Sequence, residues 1–405
     1  MSRRGRGGAF SNFNVFSSQS LRLVLMLMFS IFLFICSLEG VKESFRLIFS
    51  EWQSSLLSLI QANTAPIISL ALGMLTTALV QSSSAVIAAT MVSMSGMVAG
   101  GLPLAAAIKF GVPMVLGANI GTTITNTIVA FGVKRGMTTE EFKSTIPGVI
   151  VDDVYEALTI SLFFTLELVT GFLSNIVIGL GNFYTEALKL QDLFAMFNKT
   201  VIDIMVSEPI VDPTTKTLTF FLGNKIGGIL LFVIWFGLII LSMGLITKGL
   251  ERLIESEWKD TVVSAFKSPF RGFITGFSIT WMVGSSSIGT SLVIPFLATG
   301  LVNLKKAYPY LCGCNLATTM DLSQIYGYFA AGIVGLMLGS AHIILNIFAL
   351  MLWLVSPLRF LPVEIAGIIG NYITSSRHVA LWLLFWVFLV FFVAPLVIIY
   401  YFGFS

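Results

Sequence analysis

A run of three serines occurs twice in this 405-residue chain, each time inside an apolar stretch. The first stretch reads Gly73-Met-Leu-Thr-Thr-Ala-Leu-Val-Gln81-Ser82-Ser83-Ser84. The second reads Gly276-Phe-Ser-Ile-Thr-Trp-Met-Val-Gly284-Ser285-Ser286-Ser287, so both the glycine and the triplet recur 203 residues on. Another block follows in the same order. Gly117-Ala-Asn119-Ile-Gly-Thr122-Thr123 returns as Gly313-Cys-Asn315-Leu-Ala-Thr318-Thr319, 196 residues on. Two echoes in one order, with a small drift, mark an internal duplication. Hydroxyls and amides in a lipid-length apolar segment are costly unless they bind a ligand or one another. A duplicated membrane chain with polar breaks at corresponding points has the pattern of a secondary transporter.

The composition fits a membrane. The chain is 56% hydrophobic and only 11% charged, where a soluble domain carries roughly 25% charged residues. Apolar windows of about 20 residues recur, and they are continuous rather than alternating, which selects helices over a barrel. The expected fold is an all-α polytopic membrane protein with two inverted repeats and broken or re-entrant helices. The net charge of +3 is too small to imply nucleic acid, and Arg3, Arg4 and Arg6 read as a cytoplasmic topology anchor. Cys312-x-Cys314 has no companion ligand pair, and two histidines, His342 and His378, make no zinc site on their own. No P-loop or nucleophile elbow is present, and neither histidine lies near a serine triplet in sequence, so neither an enzyme nor an organic cofactor is expected.

Composition divides the chain into seven parts. Residues 1–20 form a polar tail, and 21–64 hold a first transmembrane helix and a short amphipathic piece around 41–60. The first repeat covers 65–180, with breaks expected at Gln81–Ser84 and around Gly117–Thr123, then an apolar stretch over 146–180. An acidic interlude at 181–222 holds the sequon Asn198-Lys199-Thr200 and is expected outside the cytoplasm. A linking helix with a basic cytoplasmic segment spans 223–268, the second repeat 269–357, and a C-terminal segment with a last helix 358–405.

Four groups of residues carry candidate chemistry. The triplets Ser82–Ser84 and Ser285–Ser287 offer uncharged donors and acceptors, and a break in a helix frees N–H groups that attract anions. The same oxygens could surround Na⁺, and serines can also simply let helices pack closely. Asn119, Thr122 and Thr123, with Asn315, Thr318 and Thr319, would each share one helical face, as a cation cage or as interhelical glue. Asp152, Asp153 and Glu156 sit in an apolar run, and Asp152 and Glu156 are four apart on one helix face. They are either a coupling site or the wet N-terminal cap of a helix starting near Val154. Asp321, two residues after the second Asn/Thr block, poses the same choice.

At these residues the chain resembles the type II sodium-dependent phosphate cotransporters, from about Leu21 to Phe402. That family carries a Gln-Ser-Ser-Ser signature in each of two inverted repeats, intact here as Gln81–Ser84. The stretch Gly117–Ala130 is similar to the family's first repeat and Lys306–Thr319 to its second. The lead-in Phe34–Glu39 and the tail from Arg377 through Leu396 also fit. The resemblance implies Na⁺-coupled uptake of inorganic phosphate by alternating access. Gln81, Ser82–Ser84 and Ser285–Ser287 would hold phosphate. Asn119, Thr122, Thr123, Asp153, Asn315, Thr318 and Thr319 would hold Na⁺. Of the family's His-Asp-x-x-Asn pattern only Asp153 is kept, in Asp152-Asp153-x-x-Glu156, whereas His342 and Asn346 keep the second repeat's His-x-x-x-Asn.

Departures from the family leave alternatives open. Gly284 stands where glutamine is expected, Ala317 replaces a glycine and Asp321 a hydroxyl residue. Asp152, Glu156 and Asp321 are therefore possible coupling acids, and the departures fit altered cation coupling, with protons or a different number of Na⁺, or a different oxyanion. Other readings are a non-transporting sensor or scaffold of the same fold, and a membrane enzyme acting on a phosphorylated substrate. The expected partners are phosphate, Na⁺ and the lipid bilayer. A short external loop without the cysteines of animal members points to a bacterial inner membrane, within a plasma-membrane, multi-pass topology.

Overall fold

The computed structural model describes residues 18–51, 64–80, 82–123, 139–187, 206, 208–254, 266–284, 286–291, 293, 297, 302–375, 385 and 387–403. Every regular element among them is helical. Among the described residues, four stretches are long and apolar enough to cross a bilayer: Leu25–Ile48, Leu104–Gly121, Glu208–Ile239 and Gly332–Val355. A fifth candidate is bent by 73° between Thr145–Thr170 and Phe172–Gly181. The all-α polytopic membrane fold expected from composition is thus present.

The first helix, α1 (Ser18–Glu51), runs unbroken through residues 41–51 of the region expected to hold a separate amphipathic piece. Nothing in it breaks a helix. Ser30, Ser37 and Ser44 are buried, and their hydroxyls donate to carbonyls one turn back. Gly40 leaves room for the ring of Trp235, which would lie 2.2 Å from a Cβ there. Residues 52–60 of the expected piece lie outside the described residues.

The first repeat begins with two short helices, α2 (Ala65–Val80) and α3 (Ser83–Ala99), broken at the triplet as expected. Next come α4 (Leu104–Gly121), α5 (Thr139–Thr170) and α6 (Phe172–Ala187). The apolar stretch 146–180 is therefore two helices rather than one. Gly171, at φ +63°, turns the chain. Glu167 accepts from the N–H groups of Leu173 (2.8 Å) and Ser174 (3.2 Å), satisfying the new helix start. The middle of the interlude 181–222, with its sequon, lies outside the described residues. Helix α7 (Asp212–Ile254) follows, kinked at Gly223, and many of its apolar side chains face outward, among them Ile226, Val233 and Leu241.

The second repeat contains α8 (Pro269–Val283), α9 (Ser286–Ser291), α10 (Leu304–Ala317), α11 (Leu322–Ala330) and α12 (Gly332–Leu350). A π turn at Met351–Val355 ends α12, and α13 (Leu361–Thr374) and α14 (Ala394–Gly403) complete the chain.

The duplication is visible as duplicated packing. Helix α2 packs on α4, and α8 packs on α10. A Cβ on Gly73 would lie 2.1 Å from the carbonyl oxygen of Met114, and one on Gly276 would lie 2.1 Å from that of Tyr310. Likewise Gly117 abuts Leu70 O (2.0 Å) and Gly313 abuts Phe273 O (2.1 Å). Each contact in one pair is the other shifted by the sequence offsets of 203 and 196. Both α4 and α10 carry an internal proline, Pro113 and Pro309, which share the 196 offset. Small residues at these crossings let two backbones touch, which is how helices associate without a hydrophobic driving force.

Candidate functional site

Helix α3 is buried on nearly every side from Ser83 to Met97, so it is a core element and not a lipid-facing one. Ser82 is its N-cap, extended at φ −150° and ψ 106°, with Oγ accepting from Ala85 N at 3.3 Å. The triplet therefore occupies the first turn of an enclosed helix, where N–H groups point outward and the helix end is positive. Ser83 and Ser84 are buried.

The second triplet begins after a different break. Gly284 caps α8 at φ +65° and donates from its N–H to Thr280 O (2.8 Å). A left-handed residue favours glycine, which gives a backbone reason for the missing glutamine. Ser286 is half-buried at the start of α9. Gln81, Ser285 and the side chain of Ser287 lie outside the described residues.

The Asn/Thr blocks end their helices instead of sharing a helical face. Helix α4 stops at Gly121 and α10 at Ala317. In both blocks the threonines turn back on the chain. Thr122 and Thr318 donate at 2.7 Å to Asn119 O and Asn315 O. Thr123 and Thr319 donate at 2.8 and 2.7 Å to Ile120 O and Leu316 O. With each hydrogen used internally, the hydroxyl oxygens remain as acceptors, the polarity a cation requires.

Each asparagine reaches into the other repeat. Asn119 Oδ1 lies 3.0 Å from His342 Nε2, and since the amide oxygen only accepts, that ring nitrogen carries the hydrogen. Asn346 Nδ2 donates to His342 O at 3.1 Å. In the opposite direction, Asn315 Nδ2 donates to Asp152 Oδ1 at 2.6 Å. Asp152 and Glu156 thus stand in the first repeat where His342 and Asn346 stand in the second.

The acidic cluster is not a helix cap, because α5 starts at Thr139 and carries the acids in its middle. Its members face different surroundings. Asp152 is buried against Asn315. Glu156 is buried, and its Oε2 has no hydrogen-bond partner among the described residues. Asp153 instead lines a cavity of about 300 Å³ together with Thr123, Ile120, Ile150, Ile373 and Phe391. Two expected cation ligands, Thr123 and Asp153, therefore share one cavity. For Asp321 the capping geometry holds: its Oδ1 accepts from Gln324 N (3.0 Å) and Ser323 Oγ (2.6 Å) at the start of α11.

Residues not singled out in the sequence complete the site. Gln324 donates from Nε2 to Ser84 O at 2.9 Å, tying α11 to the first triplet. Ser84 Oγ makes a 3.5 Å contact with Thr318 O, so this triplet meets the second Asn/Thr block. No motif marks Gln324. Thr77 and Thr280 did carry a signal, since each follows its repeat's glycine by four residues. Both are fully buried.

A sequence profile of the Na⁺/Pi-cotransporter family matches residues 33–182 and 238–369, taking in both triplets, both Asn/Thr blocks and the crossed partners Asp152 and His342. The chain belongs to the Na⁺/Pi-cotransporter family. That is a family of cotransporters and not of enzymes. Human sodium-dependent phosphate transport protein 2B is 25% identical over 460 aligned residues, covering 93% of this chain and 64% of that protein. The mouse 2A protein is 27% identical over 423 residues, covering 89% of this chain and 65% of its own length. The chain thus spans just under two thirds of these relatives. No solved structure matches it.

Proposed function

We propose that this protein is a sodium-coupled symporter that carries inorganic phosphate across the plasma membrane by alternating access. The observation that carries the reading is the crossing of the two asparagines, Asn119 to His342 and Asn315 to Asp152. Each repeat's polar block is completed by the other repeat, so movement of one against the other must remake both ends together. Phosphate is assigned to Gln81, Ser82, Ser83, Ser84 and Ser285–Ser287, with the first turn of α3 supplying N–H groups. Na⁺ is assigned to Asn119, Thr122, Thr123, Asp153, Asn315, Thr318 and Thr319. A bacterial inner membrane remains our proposed location.

The physical logic is one of charge. A phosphate entering a low-dielectric site needs compensating cations nearby. Bound Na⁺ then raises phosphate affinity, and phosphate raises Na⁺ affinity by the same factor. Titrating phosphate into purified protein at several Na⁺ concentrations, and Na⁺ at several phosphate concentrations, tests this. Equal reciprocal factors are expected, and independent binding contradicts coupling.

One observation favours a second reading, in which a proton or a further cation shares in coupling. Glu156 places a buried carboxylate oxygen without a hydrogen-bond partner among the described residues at the position of the neutral Asn346. Uptake driven by a proton gradient with Na⁺ absent would select that reading.

A further inference from the structure

The first turns of α3 and α11 meet at Ser84. Gln324 Nε2 donates to Ser84 O, and the Ser84 hydroxyl lies within hydrogen-bonding reach of the Asp321 carboxylate. Asp321 caps α11, and Ser82 caps α3. Two helix N-termini therefore meet at one hydroxyl, which among the described residues is held elsewhere only by its 3.5 Å contact with Thr318 O. The first turn of α3, whose cap Ser82 carries no charge, favours an anion over a cation.

Two acceptors are left over at this junction. Asp321 Oδ2 and Gln324 Oε1 have no hydrogen-bond partner among the described residues. Both side chains are 0% exposed, so bulk solvent does not reach them. Leaving a buried polar atom unpaired costs roughly 1–3 kcal/mol, so such atoms are expected to meet a donor at some stage of the protein's cycle. Most hydrogens nearby are committed: Ser323 Oγ and Gln324 N serve Asp321 Oδ1, and Gln324 Nε2 serves Ser84 O. The Ser84 hydroxyl has a single hydrogen for Thr318 O and the carboxylate, so a ligand that brings its own donor would complete the junction.

We propose that Asp321 and Gln324 are specificity-determining residues that accept the P–OH hydrogen of a protonated oxyanion whose other oxygens lie on Ser84 and the α3 first turn. This rests on the phosphate reading of the triplet. Asp321, grouped by sequence with the coupling acids, thereby serves the anion. Near neutral pH phosphate and arsenate each carry at least one acidic hydrogen, whereas sulfate and selenate carry none. A fully deprotonated anion would set a bare oxygen against the carboxylate, an unrelieved repulsion that works as exclusion. Because Ser83, Ser84, Asp321 and Gln324 are all buried, the anion enters only when α3 and α11 part.

The test is direct binding of phosphate and of sulfate to purified full-length protein at saturating Na⁺, by titration calorimetry. Wild type is expected to favour phosphate. Asp321→Asn keeps the helix cap, which Asn and Asp serve about equally well, but substitutes an amide for the carboxylate. The phosphate-to-sulfate ratio is expected to fall roughly ten- to a hundredfold, the equivalent of one charged hydrogen bond. Gln324→Met should lower it in the same direction by less, and it serves as the readout if Asp321→Asn does not fold. An unchanged ratio in folded variants, with a changed Na⁺ affinity instead, overturns the proposal and makes the acceptors a cation site. Selective phosphate binding without any effect of Na⁺ would defeat the symport reading but not this one. Wild type binding neither anion, or both equally, overturns the proposal.

Discussion

Asn119 Oδ1 lies 3.0 Å from His342 Nε2, although 223 residues separate them in the chain. Its counterpart Asn315 makes the reciprocal contact with Asp152 at 2.6 Å. The two contacts occupy equivalent places in the two repeats but differ in charge. One joins neutral groups, and the other joins an amide to a carboxylic side chain.

That difference predicts unequal coupling. In a double-mutant cycle, Asn315→Ala with Asp152→Ala should show about 1–2 kcal/mol of interaction, and Asn119→Ala with His342→Ala about 0.5–1. Reversible unfolding in detergent gives both values. Equal coupling would contradict the charge difference, and none in either pair would contradict the crossed arrangement.

The neighbouring acids should separate cleanly. Asp153 lines the cavity with Thr123, while Asp152 is engaged by Asn315. Asp153→Asn should raise the Na⁺ concentration for half-maximal transport about tenfold or more, since one charged hydrogen-bond partner is worth roughly 1.5–3 kcal/mol. Asp152→Asn should act mainly on stability. Unchanged Na⁺ dependence in Asp153→Asn, with a large change in Asp152→Asn, would show the wrong carboxylate was assigned.

The duplicated crossings should respond in parallel. Gly73→Ala and Gly276→Ala each drive a methyl group to 2.1 Å from a backbone oxygen, and both should destabilise by about 1–3 kcal/mol. Gly284→Gln, which installs the glutamine expected from the resemblance, meets no neighbour within 4 Å of its Cβ among the described residues. Its cost is the left-handed backbone alone, about 1–2 kcal/mol, so the substitution should weaken the protein. A stabilised Gly284→Gln would count against the backbone explanation.

Much of the fold and part of the site were legible in the sequence. The break between α2 and α3 was readable because Gln81–Ser84 interrupts an apolar run. The paired glycines were readable because duplication repeats them at fixed offsets. The bend at Gly171 was not, since Glu167 sits in an otherwise apolar run and its role as a cap depends on a turn four residues on that brings back the N–H of Leu173. The threonines of the Asn/Thr blocks were expected on a helix face because spacing alone cannot show that α4 and α10 stop there. Gln324 stayed hidden for a different reason: its partner Ser84 is 240 residues away and no repeat marks it. Long-range polar partners follow from packing, which a single sequence does not display.

The central claim is coupled movement of phosphate with Na⁺, and flux measures it most directly. Protein reconstituted into proteoliposomes should accumulate labelled phosphate under an inward Na⁺ gradient, with Li⁺ and K⁺ substituting poorly. Arsenate should compete and sulfate should compete weakly. Accumulation of phosphate driven equally well by a proton gradient in the absence of Na⁺, or no accumulation under either gradient, would contradict the account.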